Sequence, residues 1–110
     1  MDFDEYQKLA SRTGAVPDGT VLQLYDLGLG IAGEAGEVAE KLKKSIRDDG
    51  ATLTEERKEA LKKEIGDVLW YLSQLSRALG FSFSEVAQAN IDKLWKRHQE
   101  GLIRGSGDNR

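Results

Sequence analysis

The chain has 110 residues, enough for one folded domain with a small core, and its 39% hydrophobic and 32% charged residues are typical of a globular helical protein. Its net charge of −3 argues against a dedicated nucleic-acid-binding protein, and the absence of cysteine excludes disulfides and thiolate metal sites. The N-terminus is acidic and no apolar run reaches the length of a membrane span, so we expect a cytoplasmic protein with no membrane partner.

The first half of the sequence predicts two helices separated by a turn. Apolar residues at helical spacing indicate a first helix over about Phe3 to Arg12, with Asp2 as its N-cap. The only proline lies in the turn from Gly14 to Gly19. A second helix runs from about Val21 to Arg47, although each interior glycine costs it about 1 kcal/mol relative to alanine. We therefore expect close packing or ligand approach at three of its glycines, which are Gly28, Gly30 and Gly33.

The second half predicts two more helices. The third extends from about Glu55 to Leu79 and ends at Gly80, and Thr52 or Thr54 caps its start. It is long enough to form a central antiparallel pair with the second helix.

A fourth helix begins at a capping box formed by Ser82 and Glu85 and continues to about Gln99. We expect it to bury four apolar side chains, those of Val86, Ile91, Leu94 and Trp95. The predicted fold is all-α, an antiparallel four-helix bundle over residues 1–104 with a glycine-rich tail over residues 105–110. Because four helices of unequal length give one chain a thin core, we expect homo-oligomerisation to complete the bundle.

Two stretches share one acidic pattern, Glu34-Ala35-Gly36-Glu37 and Glu64-Ile65-Gly66-Asp67. In each, two carboxylates three residues apart project from the same face of a helix. Helices placed side by side would bring four carboxylates together, and oxygen ligands of this kind select hard cations such as Mg²⁺ or Mn²⁺. The sequence therefore predicts a divalent-metal site.

The spacing alone also fits a solvated helix face, because 19 acidic residues in 110 produce about three such pairs by chance. The apolar surroundings of the two pairs favour the metal site, since burying unpaired carboxylates is costly. Each pair also contains a glycine, Gly36 or Gly66, which we expect to let the two helices approach closely. A di-iron site of the Glu-x-x-His kind is excluded, because Trp95 stands three residues before the single histidine, His98.

The fourth helix carries a basic face. Asn90, Lys93 and Arg97 recur at i, i+3 and i+7 beside the apolar positions. Such a face is ordinarily solvated. Next to a metal site it suits phosphate binding, because cationic side chains can bind the phosphate oxygens that the metal does not coordinate. No P-loop motif is present.

At this point the sequence resembles the MazG-like all-α nucleoside triphosphate pyrophosphohydrolases, whose pattern is Glu-x-x-Glu, a spacer and Glu-x-x-Asp. The run from Gly33 to Lys44 looks like the second helix of that family, and Asn90-Ile91-Asp92-Lys93-Leu94 with Lys96-Arg97 looks like the fourth. The tail from Gly105 to Arg110 is similar to that of short, single-domain members, including phage-borne ones. The resemblance covers most of the chain from Leu29 onward.

The resemblance implies hydrolysis of an NTP or dNTP to a monophosphate and pyrophosphate. It assigns Mg²⁺ binding, with Mn²⁺ as a substitute, to Glu34, Glu37, Glu64 and Asp67. It assigns substrate contacts to Asn90, Lys93 and Arg97, and we add Arg110, which we expect to fold over the phosphates with the tail as a lid. Of the four acids, Glu37 is our choice for the group that orients or deprotonates the attacking water.

Family members are homodimers or dimers of dimers, so we expect a homodimer or homotetramer. Short members accept several dNTPs and some prefer guanine nucleotides, which favours dGTP or GTP. Five aromatic residues are candidates for stacking on the base or for the core, namely Trp70, Tyr71, Phe81, Phe83 and Trp95. Two other functions stay open from the sequence: a non-enzymatic helical dimerisation or regulatory module, and a phosphatase that removes the terminal phosphate.

Overall fold

A computed structural model describes residues 1–101, which contain helices joined by turns and no strand. The four α-helices and one short 3-10 turn are α1 (Phe3–Ala10), the 3-10 turn (Ser11–Thr13), α2 (Val21–Asp48), α3 (Glu55–Ala78) and α4 (Phe83–Gln99). The predicted all-α class is thus confirmed. None of these helices combines the length and apolar character that crossing a bilayer requires.

Each helix begins at a side chain that accepts a hydrogen bond from the first turn. Asp2, Thr54 and Ser82 cap α1, α3 and α4 as predicted, and Ser82 forms a full capping box with Glu85. Thr20 caps α2 in the same way. These caps satisfy N–H groups that have no partner inside the helix. Helix α3 ends before Gly80, whose φ of +84° is the left-handed conformation that glycine adopts most readily.

Helices α2 and α3 form the central antiparallel pair, which is the most extensive helix contact in residues 1–101. At the end of the pair near the connecting turn, Arg57 of α3 donates to Asp49 at 2.7 Å. Midway along the pair, Lys41 of α2 lies 3.4 Å from Glu64 of α3. These two ion pairs help to fix the register of α2 against α3, and the register determines which side chains of the two helices lie opposite each other.

The glycines that permit close helix approach are not those predicted from the acidic motifs. Among residues 1–101, a Cβ added to Gly36 or Gly66 would meet nothing within 4 Å, so the expectation that these glycines permit the close approach of α2 and α3 is wrong. The same holds for Gly28 and Gly33. Gly30 is the close contact, because a Cβ there would overlap the ring of Tyr71. The helices therefore touch most tightly one turn before the first acidic pair.

Helix α1 joins the ends of α3 and α4 through Gln7. Its amide nitrogen donates to the carbonyls of Ser73 and Phe81, each at 3.1 Å. Its amide oxygen accepts from the N–H of Phe83 at 3.1 Å. The Phe83 ring packs edge-on against Phe3, with ring centroids 5.2 Å apart. Helix α4 is thus attached mainly to α1 and the end of α3.

The apolar core of the single chain is small. Among residues 1–101, the buried large apolar side chains are those of Leu61 and Phe83. The prediction that α4 buries its apolar side chains is wrong for one chain, since the four are exposed to different degrees: Val86 at 39%, Ile91 at 59%, Leu94 at 37% and Trp95 at 60%. Residues 1–101 thus leave these apolar positions of α4 partly uncovered.

Candidate functional site

Three carboxylates from the two central helices meet at one point. Glu34 of α2 and Glu64 and Asp67 of α3 each offer an oxygen, and these oxygens lie within 4.8 Å of one another. We call this group the carboxylate cluster. Glu34 and Glu64 are partly buried, whereas Asp67 is exposed. The antiparallel pairing of α2 and α3 brings together acids that are 30 or more residues apart in sequence.

Simultaneous ionisation of the three carboxyl groups of the cluster is electrostatically unfavourable. Loss of solvent raises the pKa of Glu34, and the charges of Asp67, Glu64 and Glu37 raise it further. Like charges held this close destabilise each other's ionised form. A bound cation would relieve both effects at once.

Lys41 and Tyr6 lie beside the cluster and were not predicted from the sequence. The Lys41 ammonium is 3.4 Å from an oxygen of Glu64. Loss of solvent raises the pKa of the Tyr6 phenol, and the charge of Asp67 raises it further, so this tyrosine of α1 lies near Asp67. The sequence contains a pattern that predicts Lys41 near the acids: it follows Glu34 by seven residues, and residues seven apart lie on the same face of a helix. No local pattern connects Tyr6 to the acids, since α1 reaches them only in the folded chain.

The fourth predicted metal ligand, Glu37, lies outside the cluster. It is one turn further along α2 and is exposed, although its charge contributes to the raised pKa of Glu34. The structure therefore brings together three of the four acids. Glu37 borders them from the solvent side.

Two of the predicted substrate-binding residues of α4 share a hollow. Asn90 and Lys93 line a hollow of about 460 Å³ together with Phe81 and Val86, and no carboxylate of the cluster is among its described lining residues. Arg97, on the same helix, is buried. Arg110 and the tail fall outside the described residues.

A second hollow adjoins the tight contact of α2 with α3. It has a volume of about 140 Å³, and Trp70 and Tyr71 line it together with Gln74 and Arg77. The Gln74 side chain is buried and its oxygen accepts from Arg77 at 3.2 Å. Of the other candidate stacking residues, Phe83 belongs to the core and Trp95 stacks on His98 at 5.6 Å.

The donor set of the cluster fits a hard divalent cation. All three donors are carboxylate oxygens, which Mg²⁺ and Mn²⁺ prefer, and the set contains no nitrogen or sulfur. Loss of solvent and the charges of Asp67, Glu64 and Glu37 raise the pKa of Glu34, and a bound cation would oppose both effects. Such a centre can neutralise an anionic substrate and hold it for attack by water.

Comparison with known proteins agrees with this chemistry. Residues 24–102 match the MazG nucleotide pyrophosphohydrolase domain. The chain is 42% identical over 114 aligned residues to the Gene 37 protein of Mycobacterium phage L5, and the alignment covers 100% of both chains. No solved structure gives a significant match. The matched region contains both acidic pairs and the basic face of α4, and the chain belongs to the family of the MazG nucleotide pyrophosphohydrolase domain.

Proposed function

We propose that the protein hydrolyses nucleoside triphosphates, including deoxynucleotides, to a monophosphate and pyrophosphate in a reaction that depends on Mg²⁺. The observation that carries this proposal is the carboxylate cluster, in which α2 and α3 place three oxygens within 4.8 Å. Membership of the MazG family supports the reaction class.

Glu34, Glu64 and Asp67 hold the divalent cation, and Glu37 completes the acidic set from the solvent side. A cation bound there would supply positive charge against the phosphates and would polarise their oxygens as a Lewis acid. Mn²⁺ can replace Mg²⁺, because both accept oxygen ligands. Glu37 is exposed and unpaired with the cluster, so it is free to orient a water for in-line attack and to accept its proton.

Asn90, Lys93, Arg97 and Arg110 contact the sugar and the phosphates. Among the described residues, Asn90 and Lys93 line a hollow that includes no carboxylate of the cluster, and we propose that a second copy of the chain brings the basic face and the cluster into one site. The exposed apolar side chains of α4 support this assembly, because a solvent-exposed stripe with Ile91 at 59% and Trp95 at 60% exposure needs a partner surface. The protein thus acts as a homodimer or a dimer of dimers.

The preferred base is guanine, in dGTP or GTP. This part of the proposal rests on the resemblance to short family members. The hollow lined by Trp70 and Tyr71 offers an aromatic surface, which suits a planar base.

One product analysis tests the proposal. The protein is incubated with each dNTP and NTP in the presence of Mg²⁺, and the products are resolved by ion-exchange chromatography and ³¹P NMR. Monophosphate plus pyrophosphate is the expected result. Diphosphate plus orthophosphate would identify a terminal phosphatase, and no turnover of any nucleotide would identify a non-enzymatic helical module.

A matched pair of variants ties the activity to the cluster. Glu64→Gln removes one cluster charge and is expected to abolish turnover. Glu59→Gln removes an equal charge from the same helix, where the acid pairs with Lys62 at 2.9 Å on the surface, and is expected to leave turnover intact. Equal activity of the two variants would contradict the proposal.

A further inference from the structure

Lys41 contacts the carboxylate cluster in a setting that protects the contact from solvent. Its ammonium lies 3.4 Å from Glu64, and the two side chains are 24% and 18% exposed. Ion pairs at this degree of burial are screened less by water and salt than surface pairs are. The pair therefore contributes to the charge balance of the cluster.

A divalent cation and the Lys41 ammonium compete for the same oxygen atoms. A metal ion bound to Glu64 would stand within a few ångströms of the ammonium, and two positive charges at that distance repel each other. Each of the two cations relieves the repulsion between Glu34, Glu64 and Asp67. Either the divalent cation or the Lys41 ammonium is therefore enough to reduce the repulsion between the carboxylates.

The chain provides a place for the ammonium when it leaves Glu64. Beside Lys41 is a hollow of about 310 Å³, and its described lining includes Asp49, Thr54, Glu56 and Arg57. Asp49 is paired with Arg57 at 2.7 Å, whereas Glu56 is exposed. Lysine carries its charge on a flexible four-carbon stem, so its head group can change partner while the backbone stays in place.

We propose that Lys41 is an internal counter-ion of the carboxylate cluster: its ammonium neutralises Glu64 in the metal-free protein and moves into the neighbouring hollow when a divalent cation binds. This inference rests on the proposed metal site. Lys41 is a positioning residue in this scheme, since it acts on the metal through Glu64. Its presence lowers metal affinity and stabilises the metal-free protein.

The test compares Lys41→Met with Lys44→Met by isothermal titration of the full-length protein with Mn²⁺. Both changes remove one positive charge from α2, but Lys44 pairs with Glu40 at 3.7 Å, outside the cluster. Lys41→Met is expected to lower the Kd for Mn²⁺ about tenfold, and Lys44→Met to change it less than twofold. Lys41→Arg keeps the charge and is expected to retain the wild-type Kd.

A purely structural cross-link between α2 and α3 would give a different result. In that case Lys41→Met would melt earlier with and without metal, and its Kd would be unchanged or higher, which would overturn the inference. Our scheme predicts a lower Tm than wild type in EDTA and a larger rise of Tm on addition of saturating Mn²⁺.

The wild-type protein provides a measurement that needs no variant to fold. The ¹⁵Nζ resonance of Lys41 is expected to shift when Mg²⁺ is added, and that of Lys44 to stay in place. If the protein binds Mg²⁺ and the Lys41 resonance does not change, the inference about Lys41 is overturned while the proposed metal site stands. If neither wild type nor Lys41→Met binds a divalent cation, both the proposed metal site and the inference about Lys41 are wrong.

Discussion

Gly30 of α2 faces the aromatic ring of Tyr71 of α3 so closely that a methyl group on Gly30 would overlap the ring. Glu34 follows Gly30 by one helical turn, and Asp67 precedes Tyr71 by one turn. Because the helices are antiparallel, this contact places the two acids opposite each other. The absence of a side chain at Gly30 thus sets the spacing of the carboxylate cluster.

We expect Gly30→Ala to lower the free energy of unfolding by about 1–3 kcal/mol, since the added methyl group forces the helices apart. The same displacement should weaken Mn²⁺ binding. Gly66→Ala is the matched control: nothing lies within 4 Å of its Cβ, so alanine should raise helix stability by about 0.5–1 kcal/mol. Urea denaturation and metal titration of both variants check this. A Gly66→Ala variant less stable than wild type would indicate that another chain packs there.

We expect Glu34→Gln to stabilise the metal-free protein at neutral pH. The pKa of Glu34 is raised above 4.5 in the folded chain, so the folded state binds its proton more tightly than the unfolded state does. The stability that this group contributes is therefore fully present below about 4.5 and is lost as the pH rises through the folded-state pKa. Glutamine stays neutral and avoids this loss.

Unfolding of wild type and Glu34→Gln in EDTA across this pH range gives the measurement. The variant's advantage should be largest near pH 7 and disappear as the pH falls to about 4.5. With saturating Mg²⁺ the order should reverse at neutral pH, because the variant lacks a ligand. An advantage that grows on acidification would contradict the assignment.

Glu37→Gln should separate catalysis from metal binding. Glu37 is exposed and stands outside the cluster, so its loss should lower kcat by roughly 10²–10⁴, the usual contribution of a general base, while the Kd for Mn²⁺ changes little. Glu34→Gln should raise the Kd for Mn²⁺ as well. Steady-state kinetics and metal titration of the two variants distinguish these effects. Equal losses of metal affinity would place Glu37 among the primary ligands instead.

Ile91→Glu should shift the protein from an oligomer toward a monomer. Ile91 is 59% exposed in the single chain, and a charge there would be buried without a partner in an assembly. Lys96→Glu introduces the same residue on another face of α4 and should leave the mass unchanged. Light scattering coupled to size-exclusion chromatography measures both. A wild-type protein that is monomeric at micromolar concentration would contradict the proposed assembly.

Local sequence rules predicted the helices well, because caps and stops depend on a few neighbouring residues. Asp2, Thr54 and Ser82 cap three helices, and Gly80 ends one, each as its residue type dictates. The acidic spacing likewise indicated a cluster, and the structure assembles three of its four members.

The rest of the site depends on helix register, which no local pattern encodes. Gly36 and Gly66 looked like contact glycines because they accompany the acids, yet Gly30 makes the close approach. Lys41 shares a helix face with Glu34, a pattern visible in the sequence, but its contact with Glu64 depends on α2–α3 pairing. Tyr6 comes near Asp67 only through the docking of α1. The expected burial of α4 is wrong for the described residues because apolar spacing on a helix does not determine how much surface the other helices supply to cover it.

The single amide of Gln7 holds three pieces of backbone from the other end of the chain. Its hydrogen bonds to Ser73, Phe81 and Phe83 make the position of α4 depend on the N-terminal helix α1. A fragment that starts at Val21 would keep all three carboxylates of the cluster and lose the amide that orients α4. The first thirteen residues therefore help to orient the basic and apolar faces of α4, although they contribute none of the carboxylates of the cluster.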